Sequence, residues 1–337
     1  MFVPVVSQEQ EPLMPTTPSR ARRWIKSGEA TPFWKKGIFC IRLNRKPSDD
    51  ETQSIAVGID PGSKKEGFTV KSASHTYLNI QADAVTWVKR RIKRRREVRR
   101  TRRNRKTPCR QPRWNRACLR KNRIPPSTKA RWQWKLRILN WLHSLFPVTM
   151  VVVEDIKAQS RKGKRRWNKA FSPLQVGKSW FYNQVNELFP TSTLKVVGGR
   201  IAHRLRRRYG LKKIKNKLSN DFHAHCIDSW TLANAVVMGN WTPENKRILL
   251  ITPLQLYRRQ LHVFNPSKGG KRRLYGGTRS MGFKRSSIVR HTKYGTSYVG
   301  GTSKDSISLH SISNGNRLCQ NAKPQDCTFL AYNSWRQ

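Results

Sequence analysis

The chain has 337 residues, of which 70 are Lys or Arg and 18 are Asp or Glu, leaving a formal net charge of +52. A surplus of that size opposes compaction by self-repulsion, which excludes an ordinary small-molecule enzyme and points to a long polyanionic partner, a nucleic acid. With 36% apolar residues, including 12 Trp, 8 Tyr and 12 Phe, there is material for one compact core and one or two smaller ones, so a disordered basic tail is excluded as well.

The first fifty residues run from an apolar stretch (Phe2 to Val6) through Pro12-Leu13-Met14-Pro15, expected as a turn, and a basic segment (Arg20 to Lys26) to a strand-like run (Gly37 to Leu43). This reads as a small α+β unit, closed by the polar linker Lys46 to Gln53. Ser54 to Asp60 is an apolar strand ending in Asp-Pro-Gly, and Gly67 to Val70 with Tyr77 to Ile80 complete a three-stranded meander.

From Val88 to Arg105 there are twelve Lys or Arg and one acid in eighteen residues without Gly or Pro, which permits one uninterrupted helix. A charge run is commonly a solvated face. Here the charges surround the helix, and Trp87, Ile92 and Val98 are interleaved with them, which suits a rod set against nucleic-acid backbone.

Thr128 to Phe146 places Trp134, Ile138, Trp141, Leu142 and Leu145 on one stripe of a helix, and Pro147 hands over to the strand Val148 to Glu154. A basic loop (Lys157 to Lys169), a helix (Pro173 to Phe189), a strand (Leu194 to Val197) and a second basic stretch (Arg204 to Lys217) follow. Asp221 to Met238 is an apolar-rich helix, with Asn220 or Asp221 as the expected N-cap. Beyond Thr252 short β-like runs at Ser287 to Arg290, Ser297 to Val299, Ser306 to Leu309 and Thr328 to Tyr332, set among Gly and Tyr, predict a small β-barrel.

Six cysteines (Cys40, Cys109, Cys118, Cys226, Cys319, Cys327) form no C-x-x-C pair and read as reduced thiols, with a metal shared by Cys109 and Cys118 as the alternative. The apolar runs Met150 to Val153 and Ile248 to Ile251 are too short to span a bilayer, and Met1 to Val6 lacks the basic start of a signal peptide. The expected location is a prokaryotic cytoplasm, associated with the nucleoid.

In so basic a chain an acid at the end of an apolar strand stands out. Asp60 closes Ile55 to Ile59 and Glu154 closes Met150 to Val153, each at the carboxyl edge where α/β sheets place their sites. Asp228 lies three residues after His225, a spacing expected to put both on one helix face, which His223 does not share. Three carboxylates suit Mg²⁺ or Mn²⁺, and two such ions about 3.5–4 Å apart clamp the oxygens of an in-line phosphoryl displacement. His225 would activate water or stabilise the leaving group. Taken singly, Asp-Pro-Gly is commonly a turn, Glu154-Asp155 a strand end or cap, and His225 a helix-face residue. The order strand-Asp, meander, helix, strand-Glu, helix with His-x-x-Asp is that of the RNase H topology.

These residues resemble a known family. Pro12 to Pro15 resembles the N-terminal signature of the insertion-sequence proteins IscB and IsrB, and Arg99-Arg100-Thr101-Arg102-Arg103 resembles their arginine-rich bridge helix. Val57 to Gly62, Val153 to Ile156 and His223 to Asp228 resemble the three RuvC motifs; Arg258 to His262 and Lys293 to Gly301 extend the likeness. The interval Ile156 to Asn220 holds one histidine, His203, and no cysteine, too little for the HNH nuclease of IscB, so IsrB is the better match.

The resemblance implies an α/β protein with a split RNase H-like (RuvC) fold and an inserted bridge helix. Its parts would be an N-terminal domain over residues 1–53, RuvC part I over 54–86, bridge helix and linker over 87–127, RuvC parts II and III over 128–251, and a target-adjacent-motif reader over 252–337. Asp60, Glu154, His225 and Asp228 would be the nuclease residues, with two Mg²⁺ held by the three acids. Arg94, Arg95, Arg99, Arg100, Arg102 and Arg103 would contact RNA or heteroduplex, and Lys284, Arg285, His291 and Lys293 the DNA motif. The activity implied is omega-RNA-guided nicking of the non-target strand of double-stranded DNA by a monomeric ribonucleoprotein, without a membrane partner. The alternatives are an RNA-independent, structure-specific RuvC-like nuclease and a basic RNA-binding protein with an inactive nuclease fold.

Overall fold

The computed structural model describes residues 2–47, 51–105, 124–155, 173–253, 262–264, 272–274, 279–284, 286–303, 305–332 and 335–336. Cys109, Cys118, the basic loop at 157–169, most of Arg258 to His262 and Arg285 lie outside them. The protein is a mixed α/β chain in two units, residues 1–86 with 124–251 and residues 87–123 with 252–337.

The first unit begins with a four-stranded sheet in the order β2-β1-β4-β3: β1 (Val3–Val6), β2 (Pro12–Thr16), β3 (Ala30–Lys35) and β4 (Ile38–Leu43). Pro12 to Pro15, expected as a turn, is instead the edge strand β2, paired antiparallel with β1. An edge tolerates prolines, because the N–H groups they lack would face away from the ladder. Between them α1 (Pro18–Lys26) starts with Pro at its first position and Thr17 as N-cap, its hydroxyl accepting from the Arg20 amide at 3.4 Å. Ala21, Trp24 and Ile25 pack with Val3, Val5, Ile41 and Leu43 into a small core, leaving the arginines outside.

Six neighbouring strands form the main sheet of this unit in the order β10-β7-β6-β5-β8-β9. They are β5 (Ile55–Asp60), β6 (Lys65–Lys71), β7 (Thr76–Asp83), β8 (Val148–Asp155), β9 (Thr193–Gly198) and β10 (Leu249–Pro253). β5, β6 and β7 form the antiparallel meander, while β8 runs parallel to β5 and β9 parallel to β8. The uninterrupted apolar character of β5, buried at every position, follows from its central place with both faces covered.

One face is covered by α6 (Cys226–Val237), buried along almost its whole length, with α5 (Gly199–Arg208) beside it. α6 lies so close that a Cβ on Gly58 would stand 1.9 Å from the Ser229 carbonyl oxygen and one on Gly67 2.5 Å from that of His225. Only glycine permits this approach. α3 (Pro126–His143) covers the opposite face, burying Trp132, Trp134, Ile138, Trp141 and Leu142, and its Lys135 reaches Glu66 on β6 at 2.7 Å with both side chains fully buried. The helix expected over Pro173 to Phe189 divides into a 3₁₀ turn (Pro173–Gln175) and α4 (Lys178–Leu188), because Gly177 between them has φ 85° and leaves the helical region.

In the second unit α2 (Val88–Asn104) is one continuous helix with no buried residue, and Val98 is 46% exposed. Short pairs are made by β11 (His262–Phe264) with β12 (Arg272–Leu274) and by β13 (Arg279–Ser280) with β14 (Phe283–Lys284). Five strands, β15 (Ser287–His291), β16 (Gly295–Ser303), β17 (Ser306–Ser311), β18 (Arg317–Ala322) and β19 (Cys327–Tyr332), form an antiparallel sheet in the order β18-β17-β16-β15-β19; β20 (Trp335–Arg336) pairs with Thr252 and Pro253. Its two edges are joined by only Lys323 and a 3₁₀ turn, Pro324–Asp326. Such a turn rises about 2 Å per residue, too little for the roughly 19 Å between the edges of a flat five-stranded sheet. The sheet therefore curls around Val289, Val299, Ile307 and Leu309, but no ladder joins β18 to β19. The expected small β-barrel is, among the described residues, a curled five-stranded sheet in which β18 and β19 are not joined by a ladder.

Candidate metal centre

Strand periodicity sets the direction of two of the acids. Ala56 packs with Ala233 and Val237 of α6, and Gly58 touches the same helix, so Asp60, two residues further, emerges on that face at the strand end. Val152 packs with Ala202 of α5 and Leu232 of α6, and Glu154 follows it by two. Parallel pairing of β5 with β8 brings both ends to the same edge. Asp228 lies in the first turn of α6, where the helix dipole favours a carboxylate.

The result is a cluster in which oxygens of Asp60, Glu154 and Asp228 all lie within 4.8 Å of one another. An all-carboxylate donor set this compact fits a hard divalent cation such as Mg²⁺. Burial and then the neighbouring Asp60 push the Glu154 carboxyl up to about 8. Burial acts the same way on Asp60, but the hydrogen bond from His225 and the charge of Lys213 outweigh it and hold Asp60 below the ordinary carboxylate range. Two nearby acids are thus split, one held ionised and one held protonated near neutrality.

His225 does not share a helix face with Asp228 as expected. It is the N-cap of α6 at φ −132°, ψ −41°, because the helix starts at Cys226 and not at Asn220 or Asp221. Those residues form a turn that precedes it, with the Asp221 carboxylate accepting from the His223 amide at 2.7 Å. The ring nevertheless reaches the cluster: Nδ1 is 3.4 Å from Asp60 Oδ2, and Nε2 donates to the Lys217 carbonyl at 3.0 Å.

Sequence reasoning missed the cations that complete the site. Arg206, from α5, binds Asp228 Oδ1; Lys213 binds Asp228 Oδ2 and lies 3.7 Å from Asp60 Oδ2. Both fall in the basic stretch Arg204 to Lys217, where nothing separates them from six other Lys and Arg. Asp155, next to Glu154, accepts from Lys178 of α4 at 2.6 Å and bonds Tyr182, which ties the end of β8 to α4.

On α2, Arg94, Arg95, Arg99 and Arg100 are exposed, whereas Arg102 and Arg103 are half-buried. Lys284 is exposed over the Tyr332 ring at 5.4 Å, and Lys293 is exposed beside Tyr294. His291, expected as a DNA contact, is buried, with Nδ1 accepting from the amides of Lys293 and Tyr294. Its position is that of a turn-holding residue, because its acceptor nitrogen is occupied by backbone. No helix of the described residues is long and apolar enough to cross a membrane.

Residues 3–169 match the family described as RRXRR protein, a stretch that includes β1 to β8, α2 with its Arg99-Arg100-Thr101-Arg102-Arg103 run, and two of the three clustered acids. No curated protein matches the chain.

Proposed function

We propose that this protein is an IsrB-type, omega-RNA-guided nuclease that nicks the non-target strand of double-stranded DNA, with a magnesium-dependent RuvC centre at Asp60, Glu154 and Asp228. The observation that carries the reading is the convergence of three acids, from β5, β8 and α6, within 4.8 Å in a chain with only 18 acids against 70 bases. The strand order β7-β6-β5-β8-β9, antiparallel across the meander and parallel beyond it, agrees with an RNase H-like fold. The match to the RRXRR family and the exposed arginines of α2 favour a nucleic-acid partner.

In this reading the three acids would hold divalent ions, which would supply an activated water and charge stabilisation at the phosphate. Glu154 would have to give up its proton to serve as a ligand, and His225, held by the Lys217 carbonyl, helps keep Asp60 ionised. Among the described residues there is a single such set of acids, which would serve one scissile phosphate and favours nicking over a double-strand break.

The test is co-expression with candidate guide loci, sequencing of the co-purified RNA, and incubation with a supercoiled plasmid bearing the target in Mg²⁺. Open-circular product with the break on the non-target strand is expected, and Asp60→Ala should bind target as the wild type does and cut none of it. Prompt linearisation would refute the nickase, and cutting that is indifferent to RNA would favour the structure-specific nuclease.

A further inference from the structure

The two cations at the carboxylates differ in how they are held. Arg206 projects from α5, which packs on α6, and its side chain is 16% exposed on Asp228 Oδ1. Lys213 belongs to the segment between α5 and α6. That segment is fastened by its backbone: the Ile214 amide donates to the His223 carbonyl at 2.9 Å and the Lys217 carbonyl accepts from His225 at 3.0 Å. Lys65 of β6 adds a hydrogen bond to Asn220 at 2.8 Å. Its Cα is therefore placed, while its side chain is 29% exposed on a flexible four-carbon stem.

Lys213 touches Asp228 Oδ2 and lies 3.7 Å from Asp60 Oδ2, so its ammonium bridges two of the three carboxylates that would hold a divalent ion. Ammonium and ion would compete for the same two carboxylates. Arg206 has another oxygen to itself and a planar fork that keeps it there.

We propose that Lys213 is the phosphate-binding residue of the site: in the metal-loaded centre its ammonium exchanges Asp60 and Asp228 for a non-bridging oxygen of the substrate phosphodiester, while Arg206 stays on Asp228 as a positioning residue. This rests on the nuclease reading. No bond forms or breaks in the exchange, and the ammonium keeps its protons. Placed so, the lysine balances the acids before loading and the phosphate afterwards, and its charge never lacks a counter-charge.

The test uses the full-length ribonucleoprotein with its co-purified RNA. Mn²⁺ is titrated into the DNA-free complex and followed by electron paramagnetic resonance, for wild type, Lys213→Gln, Lys213→Arg and, as a control of equal charge change, Lys215→Gln. Lys213→Gln should bind Mn²⁺ at least about fivefold more tightly, since a competing charge at contact distance is gone, while Lys215→Gln stays within about twofold. Single-turnover nicking is then measured at saturating Mn²⁺. Lys213→Gln should stay at least about tenfold slow with target binding intact, and Lys213→Arg should recover most of the rate. Full recovery of Lys213→Gln at saturating Mn²⁺ would reduce Lys213 to a counter-charge and overturn the proposal, as would an unchanged Mn²⁺ affinity. A wild type that neither binds Mn²⁺ nor nicks would instead remove the nuclease reading, and this inference with it.

Discussion

Glu66 and Lys135 form an ion pair at 2.7 Å with both side chains fully buried between β6 and α3. Burial pushes the Glu66 carboxyl up to about 6 despite the lysine beside it, and burial lowers Lys135 despite the carboxylate. Both directions say that lost hydration outweighs mutual attraction, so the pair is expected to stabilise the fold less than apolar side chains of the same volume would. Removing one partner, as in Glu66→Met, should cost about 3–5 kcal/mol because Lys135 is left charged and unpaired, whereas Glu66→Met with Lys135→Met should be neutral or stabilising by about 1–4 kcal/mol. A urea-unfolding double-mutant cycle reads the coupling directly.

The pair also has a pH signature. The folded value for Glu66 lies above its unfolded value of about 4.5, so the contribution of this group is fully present below pH 4.5 and is lost as pH rises through about 6, by roughly 2 kcal/mol. Glu66→Gln should remove that slope. Single and double variants losing equal stability, or a slope unchanged by Glu66→Gln, would refute the argument.

Gly58→Ala should destabilise by at least about 3 kcal/mol or prevent folding, because its Cβ would stand 1.9 Å from the Ser229 carbonyl oxygen and α6 would have to lift from the sheet; urea unfolding or soluble yield measures it. His143 is stacked on Phe189 at 3.8 Å with Nε2 unpartnered, and burial pushes it down to about 4. Its contribution as a neutral ring is present above about pH 6.5 and lost as pH falls through 4, so His143→Phe should gain about 2 kcal/mol over wild type between pH 7 and pH 5 in pH-dependent unfolding. Replacing Arg99, Arg100 and Arg103 together by Gln should lower the logarithmic salt slope of RNA binding by roughly 2–3; an unchanged slope would make α2 a solvated helix.

Much of the local architecture was legible in the sequence. The apolar runs gave β5 and β8 because strands buried on both faces carry no alternation, and the absence of Gly and Pro over Val88 to Arg105 allowed α2 to run unbroken. Asp60 and Glu154 stood out because acids are rare in this chain and both close such strands. Pro12 to Pro15 is ambiguous in sequence because proline suits an edge strand as well as a turn, and which of the two it makes depends on whether a neighbour such as β1 is there to pair. The early start assigned to α6 followed a favourable capping residue, whereas the segment before Cys226 is held by His223 and His225 to backbone carbonyls twelve residues or fewer away.

What only the tertiary structure decided is which charges meet. Parallel pairing of β5 with β8 and the close approach of α6 over Gly58 gather three acids from positions 60, 154 and 228. The same packing selects Arg206 and Lys213 from a run of Lys and Arg that look alike in sequence. Periodicity reports which face a residue occupies, because it is a local property of the backbone; the partner across a sheet or beneath a helix depends on register and crossing, and these are fixed by contacts between residues far apart along the chain only once the core has packed.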